Sequence, residues 1–272
     1  MTEFFWTEEE KRLLKELYPN NSNKYIASVI GRSEGAITYM SKALGIKKDR
    51  GYLSKVYKLN STKYNVNQDF FKKWTPNMSY ILGFIYADGC VMDNNTSKRL
   101  KFGLRKKDGE LVQKVLDCME SNHKVTNYRK HFKEFVIVNK EIYNDLRKLG
   151  VTPRKTFTRK FPDIPDVFVS HFVRGYFDGN GSITFRKRKY SKYLTIVILG
   201  NYEFLDGLQK IIEKHLKIKG HKILKCKNSY QITYNGNDAI IILDWMYKDA
   251  RLFLERKRNI YLNHIRGVNN NE

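Results

Sequence analysis

The chain has 272 residues, of which 51 are Lys or Arg and 28 are Asp or Glu, so its formal net charge is +23. Hydrophobic residues make up 41% of the sequence, enough to build packed cores, which excludes a disordered chain. The charge runs through aromatic-rich sequence and therefore favours a nucleic-acid partner over a ribosomal or membrane-surface role. The length predicts about two domains, or one duplicated domain with an appendage.

The three cysteines, Cys90, Cys118 and Cys226, are far apart and show neither a disulfide framework nor zinc-ligand spacing. A reducing compartment is therefore expected, namely a cytoplasm of bacterial or phage context or the interior of an organelle. The first residues lack the basic and apolar regions of a signal peptide, so a secreted protein is not expected. No apolar run approaches the roughly 18 residues of a membrane-spanning helix.

Residues 1–46 predict three short helices. Thr7 and Glu10 form a capping box for the first helix, Gly31 turns the chain after the second, and Ser33 caps the third. Together with the opening Trp6-Thr7-Glu8-Glu9-Glu10, this order resembles Myb/SANT-like helix-turn-helix modules. The resemblance implies that the third helix enters the major groove and that the following residues face DNA: Glu34, Thr38, Tyr39, Ser41 and Lys42. A small packing domain without a role in DNA binding is the alternative.

Residues 47–73 interleave lysines with tyrosines and have weak periodicity. They predict a basic linker that follows a phosphate backbone, with a solvated tether as the alternative.

From residue 74 onward the sequence repeats itself. Two apolar, helix-length segments end in Asp88-Gly89 and Asn180-Gly181, and their polar residues lie 92 positions apart. The same order of predicted elements follows each segment, so each copy is interpreted as α, β, β, α, β, β, α. The predicted fold is therefore α+β, with two pseudo-symmetric αββαββα halves over residues 74–160 and 161–272 behind the small all-α three-helix domain.

The ends of the two apolar segments predict a divalent-cation site. Gly89 and Gly181 are expected to end their helices at the C′ position, where the last carbonyls have no intrahelical partner and the helix dipole is negative. A carboxylate such as Asp88 among these oxygens suits Mg²⁺. Gly83 and Gly175 stand five residues before the two polar groups, where a small residue lets two helix backbones approach closely. The two ends should therefore share one site that binds phosphates and activates water.

Basic strand faces are predicted to contact double-stranded DNA. In residues 99–105, Leu100, Phe102 and Leu104 fall on one face of a strand, and the basic residues fall on the other. The second copy places a basic run at its hairpin tip and follows it with a return strand. The residues predicted to bind DNA are Arg99, Lys101, Arg105, Arg186, Arg188, Tyr193 and Thr195, together with Thr38 and Lys42 of the first module.

Residues 80–89, YILGFIYADG, and residues 172–181, FVRGYFDGNG, resemble the paired motifs of the LAGLIDADG, or DOD-type, homing endonucleases. The resemblance covers about residues 74–262 and implies a monomer whose motif helices form a seam and whose sheets form a saddle on DNA. It implies Mg²⁺-dependent cleavage of both DNA strands at a long, specific site, which promotes intron or gene mobility. Asp88 and Asn180, with the adjoining Ala87 and Gly179, would then be the metal ligands.

Asn180 departs from the family pattern, in which Asp or Glu is usual at this position. An amide oxygen ligates Mg²⁺ without contributing charge, so we expect activity with unequal rates on the two strands. Asp178 aligns with a normally structural aspartate of the motif. The family also places a basic residue from each half near the attacking water, and Lys155 and Lys257, in matching Arg-Lys pairs, are the candidates for this catalytic role. Ordinary phosphate contacts by these lysines are the alternative.

Two other functions stay open at this point. The unusual Asn180 and the helix-turn-helix-like module also fit a non-catalytic transcription regulator that binds DNA on the same fold. An RNA maturase that assists intron splicing is the other, because the LAGLIDADG family includes such proteins.

Overall fold

The computed structural model describes residues 5–61, 64–94, 96–153, 159–187 and 192–269. Its internal contacts divide the chain into two units, Met1–Tyr64 and Asn65–Glu272.

The first unit is helical, with α1 at Glu8–Leu17, α2 at Asn23–Ile30, α3 at Glu34–Ala43 and α4 at Arg50–Ser61. The predicted capping box is present, since Glu10 N donates to Thr7 Oγ1 at 3.1 Å and Thr7 N donates to Glu10 Oε2 at 2.8 Å. Gly31 takes the left-handed conformation at φ 78°, which favours glycine, as the predicted turn requires. Leu14, Ile26 and Ile37 form the buried core of the three predicted helices.

The segment predicted to be a linker contains a helix that the sequence analysis did not foresee. Helix α4 occupies part of residues 47–73, and the boundary between the two units falls after Tyr64. The mixture of lysines and tyrosines in this segment favoured a linker, and none of the α4 side chains described at residues 50–57 is fully buried.

The second unit contains the predicted duplication. The first half consists of α5 Pro76–Ala87, β1 Cys90–Asn94, β2 Ser97–Arg105, α6 Gly109–Cys118, β3 Thr126–Tyr128, β4 Phe132–Val138 and α7 Lys140–Lys148. The second half consists of α8 Val169–Asn180, β5 Gly181–Lys187, β6 Lys192–Gly200, α9 Tyr202–Leu216, β7 Leu224–Cys226, β8 Ser229–Asn235 and α10 Asn237–Tyr247, followed by α11 Glu255–Asn269. Both halves have the order αββαββα, which confirms the predicted α+β class.

Each half contributes an antiparallel sheet, with the strand orders β1-β2-β4-β3 and β5-β6-β8-β7 among the described residues. On the buried face of the first sheet, Phe102 pairs with Phe135, and on that of the second, Ile198 pairs with Ile232. Because side chains alternate along a strand, this register directs Arg99, Lys101 and Arg105 of β2 to the opposite, outer face.

Helices α5 and α8 lie at the centre of the unit, in one hydrophobic core that both halves share. Residues 78–87 of α5 are all buried, as expected for a helix that is covered on every side. Tyr80 of α5 donates its hydroxyl hydrogen to Asp178 Oδ2 of α8 at 2.8 Å, so a polar contact also joins the two motif helices.

Candidate active site

The two motif helices approach each other at a pair of glycines. A Cβ atom at Gly83 would lie 2.1 Å from the carbonyl oxygen of Phe172, and one at Gly175 would lie 2.0 Å from that of Tyr80. Both distances are far inside van der Waals contact, so any larger residue would force the helices apart. The prediction that small residues allow close approach is confirmed, and the C-terminal ends of the helices meet as a result.

The glycines that follow the polar residues act differently from the prediction. Gly89 and Gly181 are not in the left-handed conformation, and the φ angle of Gly181 is −102°. Gly89 follows the C-cap residue Asp88 and so occupies the predicted C′ position without the left-handed conformation, whereas Gly181 is itself the C-cap, so the C′ prediction was wrong for Gly181. A Cβ at Gly89 would lie 2.6 Å from Ile85 Cα, and one at Gly181 would lie 2.2 Å from Phe177 Cδ2. Glycine fits here because the chain folds back tightly onto the last turn of its own helix.

Two cavities open beside the meeting helix ends, and Asp88 lines both of them. The first, of about 530 Å³, is also lined by Ala87, Arg159, Asn180 and residues 199–203 of the second half. The second, of about 500 Å³, is also lined by Asp178 and Gly179, with residues 103–105 and Asp108 of the first half. The exposed Asp88 side chain is thus the group that the two cavities have in common.

The donor groups at the first cavity fit a hard divalent cation. Asp88 offers a carboxylate and Asn180 an amide oxygen, and oxygen ligands are those that Mg²⁺ and Ca²⁺ prefer. A Cβ at Gly179 would lie 2.2 Å from Ala87 Cβ and 3.6 Å from Asp88 Oδ2, so glycine at this position lets the two helix ends approach closely beside the carboxylate. Among the described residues no cluster of three or more His, Cys, Asp or Glu is arranged to bind a metal. Mg²⁺ usually keeps several waters in protein sites, so Asp88 and Asn180 would supply only part of its ligand shell.

Asp178 is a structural anchor. It is buried, and its Oδ2 accepts from the Tyr80 hydroxyl and from Leu254 N, each at 2.8 Å. Burial raises the pKa of this carboxyl group. Asp178 therefore ties both motif helices to the chain that leads into α11, in keeping with the role that the resemblance implied.

Lys257 caps the C-terminal end of α8. It is only 2% exposed, and its Nζ donates to the carbonyl oxygens of Phe177 at 2.6 Å, Asp178 at 2.8 Å and Gly181 at 2.6 Å. All three ammonium hydrogens are therefore used at the negative end of the helix dipole. Burial lowers the pKa of this lysine to about 8.

Arg159 occupies the corresponding position in the first half. Its guanidinium donates to the carbonyl oxygen of Tyr86, and Tyr86 corresponds to Asp178 through the 92-residue repeat. Arg159 is buried and lines the first cavity. Sequence reasoning had paired Lys257 with Lys155, which lies outside the described residues, and had missed Arg159. The Arg-Lys dipeptide that pointed to Lys155 also occurs at Arg159-Lys160, so this pattern alone could not select between the two positions.

The outer face of the first sheet carries the basic residues that the alternating pattern predicted. Arg99 Nε donates to Ser97 Oγ at 2.9 Å, and Lys101 forms an ion pair with Glu134 at 2.8 Å. Arg105 is exposed and lines the second cavity. This face is therefore basic, although Glu134 partly neutralises its centre.

On the outer face of the second sheet, the predicted DNA-binding residues differ in how accessible they are. Arg186 is exposed and Tyr193 is half-buried, whereas Arg188 lies outside the described residues. Thr195 is fully buried, and its hydroxyl donates to Asn235 Oδ1 at 2.9 Å. A direct DNA contact by Thr195 is thus blocked in this conformation, and the exposed Asn235, which the sequence analysis missed, is the accessible group of this pair.

Helix α3 of the first unit presents part of the predicted recognition surface. Lys42 and Glu34 are exposed, and Tyr39 is 73% exposed. Thr38 is half-buried and donates to Glu34 O at 2.8 Å. Ser41 was expected to face DNA, but it is buried and donates to Thr38 O at 2.9 Å, so this expectation was wrong.

Cys90, Cys118 and Cys226 are free thiols. Across the described ranges, no helix combines the length and the apolar character that crossing a membrane demands.

No protein-family model and no curated protein matches the chain. Similar solved structures include the LAGLIDADG meganuclease I-AabMI bound to uncleaved DNA, with 12% identity, a TM-score of 0.49 and coverage of 68% of this chain and 87% of that one. The I-LtrWI LAGLIDADG homing endonuclease bound to target DNA is 11% identical, with a TM-score of 0.48 and coverage of 71% and 88%. I-SmaMI bound to an uncleaved DNA target in the presence of calcium ions is 13% identical, with a TM-score of 0.45 and coverage of 64% and 85%.

These similar structures are LAGLIDADG endonucleases, and the chain itself has the α+β fold of two αββαββα halves, joined along two motif helices, that the resemblance of its motifs implied.

Proposed function

We propose that this chain is a LAGLIDADG-type homing endonuclease that cleaves double-stranded DNA at a long, specific site and uses Mg²⁺. The observation that carries the proposal is the position of Asp88, an exposed carboxylate at the junction of two helix ends that lines both cavities. A protein that only binds DNA has no use for a carboxylate there, because it repels phosphate. The positive net charge of the whole chain supports a polyanionic substrate.

Each group at the site has a role in this proposal. Bound Mg²⁺ would supply a Lewis acid that activates water and neutralises charge on the phosphate. Asp88 and Asn180 would hold the cation together with carbonyl oxygens of the helix ends, including those of Ala87 and Gly179. Arg159, in the same cavity as Asp88 and Asn180, would donate hydrogen bonds to a scissile phosphate.

Lys257 and Lys155 have separate places in the proposal. We propose for Lys257 a positioning role, since its three hydrogen bonds to main-chain carbonyls hold the end of α8 next to Asp88. Lys155 keeps its sequence-based role as a residue near the attacking water.

The two halves would act at different rates. Asp88 lines both cavities, whereas Asn180 lines the first. A cation in each cavity would then have a different set of ligands, with the neutral Asn180 amide in the first cavity alone, so one strand should be cut before the other. The protein would act as a monomer, because one chain supplies both helix ends.

In this proposal, the two sheets of the second unit and the helical first unit would both contact DNA. The outer sheet faces would contact the DNA around the cleavage point through Arg99, Lys101, Arg105 and Arg186. The first unit would add contacts through Tyr39 and Lys42 of α3, which are exposed.

The test is cleavage of DNA from the genomic neighbourhood of the gene, including a version with the gene-bearing insertion removed, with Mg²⁺ present. Wild-type protein should produce a site-specific double-strand break, with one strand nicked first. Asp88→Ala should lower the cleavage rate at least about 100-fold, because the carboxylate that would hold the charge-neutralising cation is lost. Asp117→Ala, at an exposed carboxylate of α6, is the matched control and should cleave like wild type.

The alternatives predict other results. Tight duplex binding without cleavage in Mg²⁺, and the same behaviour in the Asp88 variant, would identify a transcription regulator. Stronger binding to folded intron RNA than to duplex DNA would identify a maturase.

A further inference from the structure

We infer that Tyr176 is a positioning residue that fixes the orientation of the Asn180 amide, so that its oxygen rather than its nitrogen is available to the cavity shared with Asp88. This inference rests on the proposed cation site and explains how an amide serves there in place of a carboxylate.

A chain of hydrogen bonds sets the orientation. The Tyr176 hydroxyl donates to the carbonyl oxygen of Leu199 at 2.9 Å, and it lies 3.3 Å from Asn180 Nδ2. A phenol has one hydrogen to donate, and a carbonyl oxygen can only accept it. Because that hydrogen is committed to Leu199, the group of Asn180 that faces the phenol must be the donor. The amide oxygen is therefore turned away from Tyr176.

The hydroxyl cannot move to another partner without disturbing the core. Tyr176 is 1% exposed, and its ring stacks on Phe204 with centroids 4.0 Å apart and planes at 27°. A Cβ at Gly200 would lie 2.9 Å from the Tyr176 hydroxyl oxygen, so the strand end is shaped around this group. The phenol is thus a rigid reference point for the more exposed amide.

The duplication supplies an internal comparison. Through the 92-residue repeat, Tyr176 corresponds to Phe84 and Asn180 corresponds to Asp88. Phe84 has no hydroxyl, and the carboxylate of Asp88 needs none, because its two oxygens are chemically equivalent. An amide has one oxygen and one NH₂ group, and only the oxygen can bind a cation. The hydroxyl occurs in the half whose ligand must be oriented.

The experiment measures Ca²⁺ affinity by titration calorimetry on the full chain, with wild type, Tyr176→Phe, Asn180→Asp and the double variant. Tyr176→Phe should weaken Ca²⁺ binding about fivefold in the wild-type background, the factor that corresponds to losing one hydrogen bond. In the Asn180→Asp background, the same change should have no effect, because a carboxylate presents an oxygen in either orientation. The double variant copies the Phe84 and Asp88 pair of the first half.

Two controls separate this effect from packing and from binding elsewhere. Tyr234→Phe removes a buried hydroxyl that has no hydrogen-bond partner among the described residues, and it should leave Ca²⁺ affinity unchanged. Asp88→Ala should abolish the binding that the titration detects.

The outcomes are distinct for this inference and for the proposed function. An equal loss on Tyr176→Phe in both backgrounds, or no loss in either, would overturn the orienting role and leave the cation site intact. Wild-type protein that binds no Ca²⁺, or binds it equally well without Asp88, would overturn the proposed cation site and this inference with it.

Discussion

A buried lysine holds one of the two helix ends on which the candidate site depends. The ammonium group of Lys257 meets three carbonyl oxygens at the end of α8. Hydrogen bonds that involve a charged donor contribute more than neutral ones, and a buried carbonyl left without a donor costs free energy. We therefore expect Lys257→Met to lower the free energy of unfolding by about 3 kcal/mol, as measured by urea denaturation.

The matched control is Lys248→Met, which changes an exposed lysine at the end of α10. It should alter stability by less than about 0.5 kcal/mol. Similar losses in the two variants would show that the three hydrogen bonds contribute little.

We expect the buried His171 to make the stability of the fold sensitive to acid. His171 Nδ1 lies 2.9 Å from Arg174 Nη1, and since arginine only donates, this nitrogen must accept and the ring is neutral. Burial, together with the nearby Arg174 charge, lowers the pKa of His171 to about 4, against an unperturbed value near 6.5. Between these values the unfolded chain binds more protons than the folded one, so the free energy of unfolding falls as the pH is lowered.

The measurement compares the free energy of unfolding of wild type and His171→Gln at pH 7 and pH 4.5. Glutamine can still accept from Arg174 but does not titrate. Wild type should therefore lose more stability than the variant between the two pH values. Equal losses would mean that His171 does not carry the acid sensitivity.

At the scale of elements, the seam between α5 and α8 controls where the site can form. The Cβ positions at Gly83 and Gly175 coincide with main-chain carbonyl groups, which cannot rotate away as a side chain can. Gly175→Ala should therefore destabilise the second unit by about 3 kcal/mol, near the upper end of what overpacking usually costs, as measured by denaturant unfolding.

Gly35→Ala provides the comparison for this substitution. A Cβ at Gly35 in α3 would meet only Ser33 Oγ at 3.9 Å, an ordinary contact. Alanine should be tolerated there or raise stability slightly, because it is the better helix former. A Gly175→Ala variant as stable as wild type would show that the helices separate without cost.

Some features of the strands and helices could be predicted from the sequence, and others could not. Alternation of Leu100, Phe102 and Leu104 with basic residues correctly predicted which face of β2 is buried, because the strand period is local. The burial of Thr195 was not predictable from the same pattern, since it depends on Asn235 of the neighbouring strand. The helix α4 was missed because the interleaved lysines and tyrosines of Arg50–Ser61 were interpreted as part of a basic linker.

At the scale of the whole molecule, the positive charge should govern DNA affinity. Each phosphate contact releases counterions, so the logarithm of the binding constant falls with the logarithm of salt concentration, by about 0.9 per contact. Arg105→Gln and Arg186→Gln, at exposed positions on the outer sheet faces, should each reduce this slope by about 1. Fluorescence anisotropy at several salt concentrations measures it.

Lys148→Gln is the control for overall charge. Lys148 is exposed on α7, in the helical layer that covers the buried face of the first sheet. Its replacement should leave the slope unchanged if DNA lies on the outer sheet faces. The same decrease in all three variants would indicate binding that depends on charge alone.

Local sequence patterns were sufficient to predict the order of elements in the duplicated unit, the duplication itself and the two polar residues at the motif ends, because periodicity, capping and repeat spacing are local properties of the chain. The contact of Arg159 with the end of α5, the capping of α8 by Lys257, and the hydrogen bonds of Tyr176 with Leu199 and Asn180 became known from the folded structure. Arg159 and Tyr86 are 73 residues apart, and Lys257 and Asp178 are 79 apart. Such contacts depend on how two halves pack across the glycine seam, and no local pattern records which side chains that packing brings together.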